Sequence, residues 1–197
     1  MKTNLQFKGG RTYLHSTDFY DWLMGDVCEG DEWVTKLVFK KIINHQCEIV
    51  WEKTEDQSSG FFELWNRQAD SIKRGWLVET REAAVKRYDY DEDSLVSVAE
   101  IDEEGQSIHM NRQCSASTIE VIVALTKKLH NTLFPLSSGK WLVGQLEFLG
   151  PLPISYKTVG VNVDRIIKGK FSVCSITIDG DTVGSIRFIV GDPDDRH

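Results

Sequence analysis

Apolar and polar positions alternate along most of this chain with the period of a β-strand. In "FSVCSITIDGDTVGSIRFIV", Phe171 to Val190, β-branched and aromatic residues flank Asp179-Gly180, a pair that takes positive φ readily and so suits a tight hairpin turn. "SLVSVAEIDEEGQSIHM", Ser94 to Met110, repeats the arrangement around Glu104-Gly105, and "WLVGQLEF" and "YKTVGVNV" supply further strand-like runs. Pro151 and Pro153 fall between those two runs, where a chain turning a corner does not need every backbone N–H.

Two segments depart from this period. "STIEVIVALTKKLH", Ser117 to His130, opens with Ser-x-x-Glu, a capping box in which Ser117 and Glu120 each satisfy one orphan N–H of the first turn. The pattern predicts a helix from Ser117 to about Phe134, ahead of Pro135, with Lys127, Lys128 and His130 complementing the dipole near its C-terminal end. Between Ile119 and Leu125 it is apolar on every side except for Glu120, so that half must be surrounded by protein. Phe19, Trp22 and Leu23 make a shorter stripe and predict a two-turn helix over Ser16 to Met24, with a strand as the alternative.

Strand, helix and several strands thus follow one another twice. Ser16-Thr17 opens the first helix and Ser117-Thr118 the second, and each helix precedes a strand with tryptophan near its start, Trp33 and Trp141. The expected organisation is a degenerate N-terminal half over 1–93 and a C-terminal half over 94–197. The alternative is one enlarged domain with N-terminal additions.

The chain has 197 residues, 41% apolar and 27% charged, which suits a packed core. A net charge of −7 argues against nucleic acid as a partner, because backbone phosphates are met by clustered Lys and Arg. No basic-then-apolar leader pattern is seen, and the apolar run around Val121 is far shorter than the roughly 20 residues of a membrane span. A cytoplasmic protein with no membrane span is expected. Cys28, Cys47, Cys114 and Cys174 are scattered and form no Cys-x-x-Cys pair, so reduced thiols are expected, with no metal and no cofactor.

A helix apolar all round, with few other helices to bundle with, calls for an α+β fold in which a curved antiparallel sheet wraps a central helix. The stretch from Ser94 to Val190, with its apolar helix and the closing hairpin "IDGDTVGSIRF", resembles the hot-dog fold of the acyl-thioester thioesterases and 3-hydroxyacyl-carrier-protein dehydratases. The first half would then be a second copy, giving a double hot dog. The resemblance implies a protein that binds an acyl thioester of coenzyme A or of acyl carrier protein. It further implies dehydration or hydrolysis if the protein is an enzyme, and a monomer or homodimer. The alternative is a non-catalytic binding or assembly module.

In the dehydratases, the resemblance implies, a histidine ahead of the central helix works with a carboxylate on it. Glu120 matches the helix carboxylate and His109 precedes it by eleven residues, although "SIHMNRQCSAST" lacks the family's Gly-His-Phe-Pro-like loop. A carboxyl in an apolar site has its pKa raised, as acid-base work near neutrality requires. Beside this stands the structural reading, in which Glu120 is a helix cap and His109 a strand residue. "HSTD", His15 to Asp18, offers a histidine that Asp18 or an acid of the other half could orient as a base, and His15 would meet Glu120 if the halves pack as a pseudo-dimer. Its structural reading is that Ser16, Thr17 or Asp18 caps the first helix and His15 ends a strand.

Other motifs add little. There is no Gly-x-Ser-x-Gly elbow, phosphate loop or His-Glu-x-x-His, and "FKGGR" (Phe7 to Arg11) reads as a simple turn. His45 and Cys47 alternate on one strand without a third ligand, and "DYDEDS" (Asp89 to Ser94) reads as a solvated acidic loop. The six tryptophans are expected in the core or at an interface.

Overall fold

A computed structural model describes residues 1–52, 57–167 and 169–192, and the chain divides into two units, Met1–Tyr90 and Asp91–His197. The second unit contains α2 (Glu92–Leu95), β7 (Glu100–Asp102), β8 (Ser107–Met110), α3 (Thr118–Leu133), β9 (Lys140–Phe148), β10 (Val159–Ile167), β11 (Phe171–Ile178) and β12 (Asp181–Gly191). Its strands run in the order β9-β12-β11-β10-β8-β7, every neighbouring pair antiparallel.

Helix α3 packs against β8, β9 and β10. Ser117 Oγ accepts from Glu120 N at 3.4 Å and Glu120 Oε2 accepts from Ser117 N at 3.0 Å, which is the capping box the sequence predicts. Ile119 and every residue from Val121 to Leu125 are buried, as an all-round apolar face demands. An antiparallel sheet around a central apolar helix is the hot-dog fold, and the chain is α+β.

The hairpin closes as its turn chemistry requires. Ile178 pairs with Asp181, leaving Asp179 (φ 52°) and Gly180 (φ 92°) as the two left-handed turn residues. In the β7–β8 hairpin the positive φ falls on Gln106 (48°), not on Gly105. Gly105 matters there for space, since a Cβ would stand 2.4 Å from Asp102 Oδ2. The acidic stretch before it is no plain loop: Asp91 caps α2 through Ser94 N at 3.0 Å, and Glu92 pairs with Lys127 of α3.

The first unit contains β1 (Phe7–Lys8), α1 (Ser16–Trp22), β2 (Glu32–Phe39), β3 (His45–Val50), β4 (Gly60–Asn66), β5 (Ser71–Ala83) and β6 (Arg87–Tyr88). Four strands form an antiparallel sheet in the order β3-β5-β4-β2, and β1 pairs in parallel with β6. Helix α1 does not run on to Met24 as an α-helix. It widens into a π-helical turn over Leu23–Val27, closed by Cys28 N donating to Leu23 O at 2.8 Å. Leu23 and Val27, at the two ends of this turn, are both buried.

The strands that follow the helix are ordered differently in the two units. After α3 the spatial order is first, fourth, third, second (β9-β12-β11-β10); after α1 it is first, third, fourth, second (β2-β4-β5-β3).

Candidate functional site

Each unit contains histidines and carboxylates close to one another. In the first, His15 is the residue before α1, and its Nδ1 lies 2.8 Å from Thr17 Oγ1 and 3.5 Å from Thr17 N. Tyr13 stacks on its ring at 6.5 Å between centroids. The Asp18 carboxylate does not bond His15 directly. Its Oδ1 accepts from Lys8 Nζ at 3.1 Å, from Thr17 Oγ1 at 3.2 Å and from Tyr88 OH at 2.9 Å.

Lys8 ties this cluster together. Its side chain is fully buried, donates to Thr17 Oγ1 at 2.9 Å, and lies 4.4 Å from the centroid of the Tyr90 ring. A buried ammonium is tolerated only with such partners, here a carboxylate, a hydroxyl and an aromatic face. The parallel β1–β6 pair sets Lys8 beside Tyr88 in register, so the backbone fixes the geometry. "FKGGR" is therefore more than a turn: its Lys8 anchors the polar core of the first unit.

In the second unit Glu120 is half-buried and holds the capping box. His109 is a strand residue between the buried Ile108 and Met110, so alternation along β8 turns it to the opposite face from them. Its Nε2 lies 3.4 Å from Glu100 Oε2 across the β7–β8 pair. The structural reading of both residues is thus present in the geometry, and the carboxylate that His109 meets is Glu100.

His130, near the end of α3, is a buried histidine the sequence offered only as a dipole partner. Its Nδ1 lies 2.6 Å from Thr126 O and its Nε2 2.5 Å from Ser172 Oγ, with Trp141, Phe134 and Phe188 around the ring. A carbonyl only accepts, so Nδ1 carries the proton and Ser172 donates to Nε2. Burial lowers the pKa of His130, opposed by the bond to Thr126. The pair has the connectivity of a nucleophile and its base, yet both side chains are fully buried, which makes it a core hydrogen bond. Beside it a cleft of about 160 Å³ is lined by Leu133, Phe134, Leu136 and Trp141 among others.

His45 lies against Asn44 and Glu79 while Cys47 is buried, so the two do not converge. Among the described residues no group of three or more His, Cys, Asp or Glu is placed to hold a metal ion. No described helix is long and apolar enough to cross a membrane. Of the tryptophans, Trp76 and Trp141 are buried, whereas Trp51 is exposed and lies under Lys73 Nζ at 3.7 Å.

No family model matches the sequence, and no curated protein matches it. Among solved structures, a candidate thioesterase from Novosphingobium aromaticivorans is similar at 11% identity and a TM-score of 0.48, over 96% of this chain and 94% of that one. A pyran synthase domain from module nine of the sorangicin pathway is similar at 12% identity and a TM-score of 0.46, over 95% and 91%. The dehydratase domain of PpsC from Mycobacterium tuberculosis, in complex with C12:1-CoA, gives 11% identity and a TM-score of 0.45 over 91% and 85%. At such identities and scores no role passes from these proteins to this chain. The fold assignment rests on the central helix and the strand order.

Proposed function

We propose that this protein binds an acyl thioester, carried by coenzyme A or by acyl carrier protein. The observation that carries the reading is the hot-dog fold of the second unit, an apolar helix buried by an antiparallel sheet. One fold hosts many functions, so the test is made on the ligand itself. The first unit is read as a degenerate second copy, supported by the shared succession of helix and four strands.

If the protein turns its ligand over, dehydration of a 3-hydroxyacyl thioester or thioester hydrolysis is the reaction, with Glu120 and His109 of the second unit and His15 of the first as the candidate acid-base groups. His109 is turned to Glu100, and His15 lies buried in the polar cluster of the first unit. Asp18, held by Lys8 and Tyr88, supports the cluster. A second reading, a binder without catalysis, is favoured by the capping box that already occupies Glu120.

Incubation with a panel of acyl- and 3-hydroxyacyl-coenzyme A thioesters, followed by native mass spectrometry, separates these readings. Retention or conversion of one of them is expected, and a panel that neither binds nor reacts refutes the proposal. With a ligand in hand, Glu120→Gln is expected to lower turnover by about 10²-fold or more if Glu120 is the acid or base. Turnover unchanged in that variant would remove Glu120 from the chemistry.

A further inference from the structure

The C-terminal end of α3 is left polar by its own sequence. The last turn of a helix carries carbonyls that no intrahelical N–H reaches. Phe134 N satisfies one of them, donating to His130 O at 2.8 Å, but Pro135 has no N–H to offer the next. Among the described residues nothing donates to the carbonyls of Asn131, Thr132 or Leu133. The helix also brings no free positive charge to this negative pole. Lys127 pairs with Glu92, Lys128 Nζ donates to Val96 O at 2.7 Å, and the two ring nitrogens of His130 are engaged by Thr126 O and Ser172 Oγ.

The cleft of about 160 Å³ lies at this pole. It is lined by Leu133, Phe134, Pro135 and Leu136 at the helix end, by Trp141 at the start of β9 and by Gly169 in the turn between β10 and β11. None of these offers a free polar side chain, because the single candidate, Trp141 Nε1, donates to Phe134 O at 3.0 Å. The aromatic part of the wall is held from behind: the His130 ring, bonded at both nitrogens, stands 4.8 Å from that of Trp141 and 5.8 Å from that of Phe134. A molecule in the cleft therefore meets a fixed aromatic and aliphatic surface and, on the helix side, carbonyl oxygens that only accept.

Size, charge and hydrogen bonding each narrow the ligand. An apolar cavity of about 150 Å³ takes one benzene ring, so a cleft of this volume suits a single ring. A carboxylate would face accepting carbonyls and the negative end of the helix dipole. An ammonium would enter beside Lys140 and Lys170, the exposed sequence neighbours of Trp141 and Gly169. A plain hydrocarbon would cover carbonyls and leave them without a donor, which one hydroxyl on the ring corrects. We propose that the cleft at the C-terminal end of α3 binds a small uncharged aromatic molecule with one hydrogen-bond donor, a phenol, its ring against Trp141 and Phe134 and its hydroxyl donating to a terminal carbonyl of the helix. This site is separate from the one proposed above for the thioester: Glu120 stands at the other end of α3, roughly 20 Å away at the rise of an α-helix.

Full-length protein labelled with 13C at the leucine methyls, titrated in turn with phenol, toluene, benzoate and benzylamine, reads binding in the cleft by NMR. Leu133→Ile and Leu136→Ile assign the two reporting signals. Phenol is expected to shift both saturably and to give NOEs from its ring protons to both. Its affinity is expected to exceed that of toluene by about two- to tenfold, the worth of one neutral hydrogen bond, and those of benzoate and benzylamine by a wider margin. No saturable shift with any of the four compounds overturns the site, as do NOEs that reach only other leucines. Toluene equal to phenol overturns the carbonyl contact, and a preference for benzoate or benzylamine overturns the ligand class.

Leu136→Trp, which fills the cleft from its rim, is expected to abolish the phenol response, whereas Leu149→Ser, at an exposed position beyond β9, should leave it unchanged. A folded Leu136→Trp protein that binds phenol as the wild type does overturns the proposal. If that variant does not fold, the wild-type NOEs decide alone. A failed thioester panel strikes the proposed function and leaves this titration standing, so the two failures are distinguishable.

Discussion

His130 is a buried imidazole kept neutral by its surroundings, with burial the larger cause and the bond to Thr126 opposing it. On unfolding it returns to the ordinary value near 6.5, so below about pH 6.5 the unfolded chain takes up a proton that the folded chain refuses. The depressed folded pKa therefore contributes stability that is complete above that pH and is lost as the pH falls below it. Urea midpoints measured between about pH 7.5 and 5.5 should decline in the wild type and decline less in His130→Leu. Equal slopes in the two proteins would place the titration elsewhere. The cysteines are governed by the same physics with the opposite sign, since burial pushes Cys28, Cys47 and Cys174 up to about 12 each. At about pH 8 their thiolate fraction is on the order of 10⁻⁴, and iodoacetamide should spare all three until the chain unfolds. Rapid native alkylation of Cys47 or Cys174 would contradict that burial. The Glu120 cap was legible because its motif spans four adjacent positions. Lys8 was not, since Thr17, Asp18 and Tyr88 come to it from other elements and nothing in "FKGGR" announces a buried ammonium.

Elements with a local signature were predicted close to their true bounds. Helix α3 spans Thr118–Leu133, close to the predicted bounds, because the capping box at its start and Pro135 beyond its end are local signals, and the Asp179-Gly180 turn follows from two adjacent residues. The π-helical turn after α1 was not legible: an i, i+4 pair such as Leu23 and Val27 fits an ordinary α-helix equally well, and nothing in the apolar spacing distinguishes the two. The same contrast separates glycines that look alike in sequence. At Gly184 on β12 a Cβ would stand 2.1 Å from Glu147 O on the paired strand β9, whereas at Gly150 nothing lies within 4 Å. Gly184→Ala must push two hydrogen-bonded backbones apart, and its loss should exceed the roughly 1 kcal/mol of an ordinary unfavourable glycine replacement. Gly150→Ala should stay within about 0.5 kcal/mol of the wild type. Similar urea midpoints for the two variants would mean that β9 and β12 are not paired at that register.

Taken as a whole, the molecule carries a net charge of −7, and its proposed ligand is also an anion, whether a coenzyme A thioester or an acidic carrier. A site built to read phosphates gains affinity from Lys and Arg and weakens steeply as salt displaces the gain. A negatively charged protein that holds the acyl part of its ligand in an apolar interior has the opposite balance, because salt screens the repulsion between protein and coenzyme while leaving apolar burial intact. Affinity for a bound acyl-coenzyme A should thus be flat or tighten between about 50 and 300 mM salt, over which the Debye length shortens from roughly 14 to 6 Å. Thermal shifts at fixed ligand read this directly, since occupancy at about 100 times Kd raises stability by about 2.7 kcal/mol and displaces Tm by several degrees. Free coenzyme A, which lacks the acyl chain, should shift Tm less at every salt concentration. If it shifts Tm equally, and the shift collapses with salt, recognition lies in the phosphates and the buried central helix serves the fold alone.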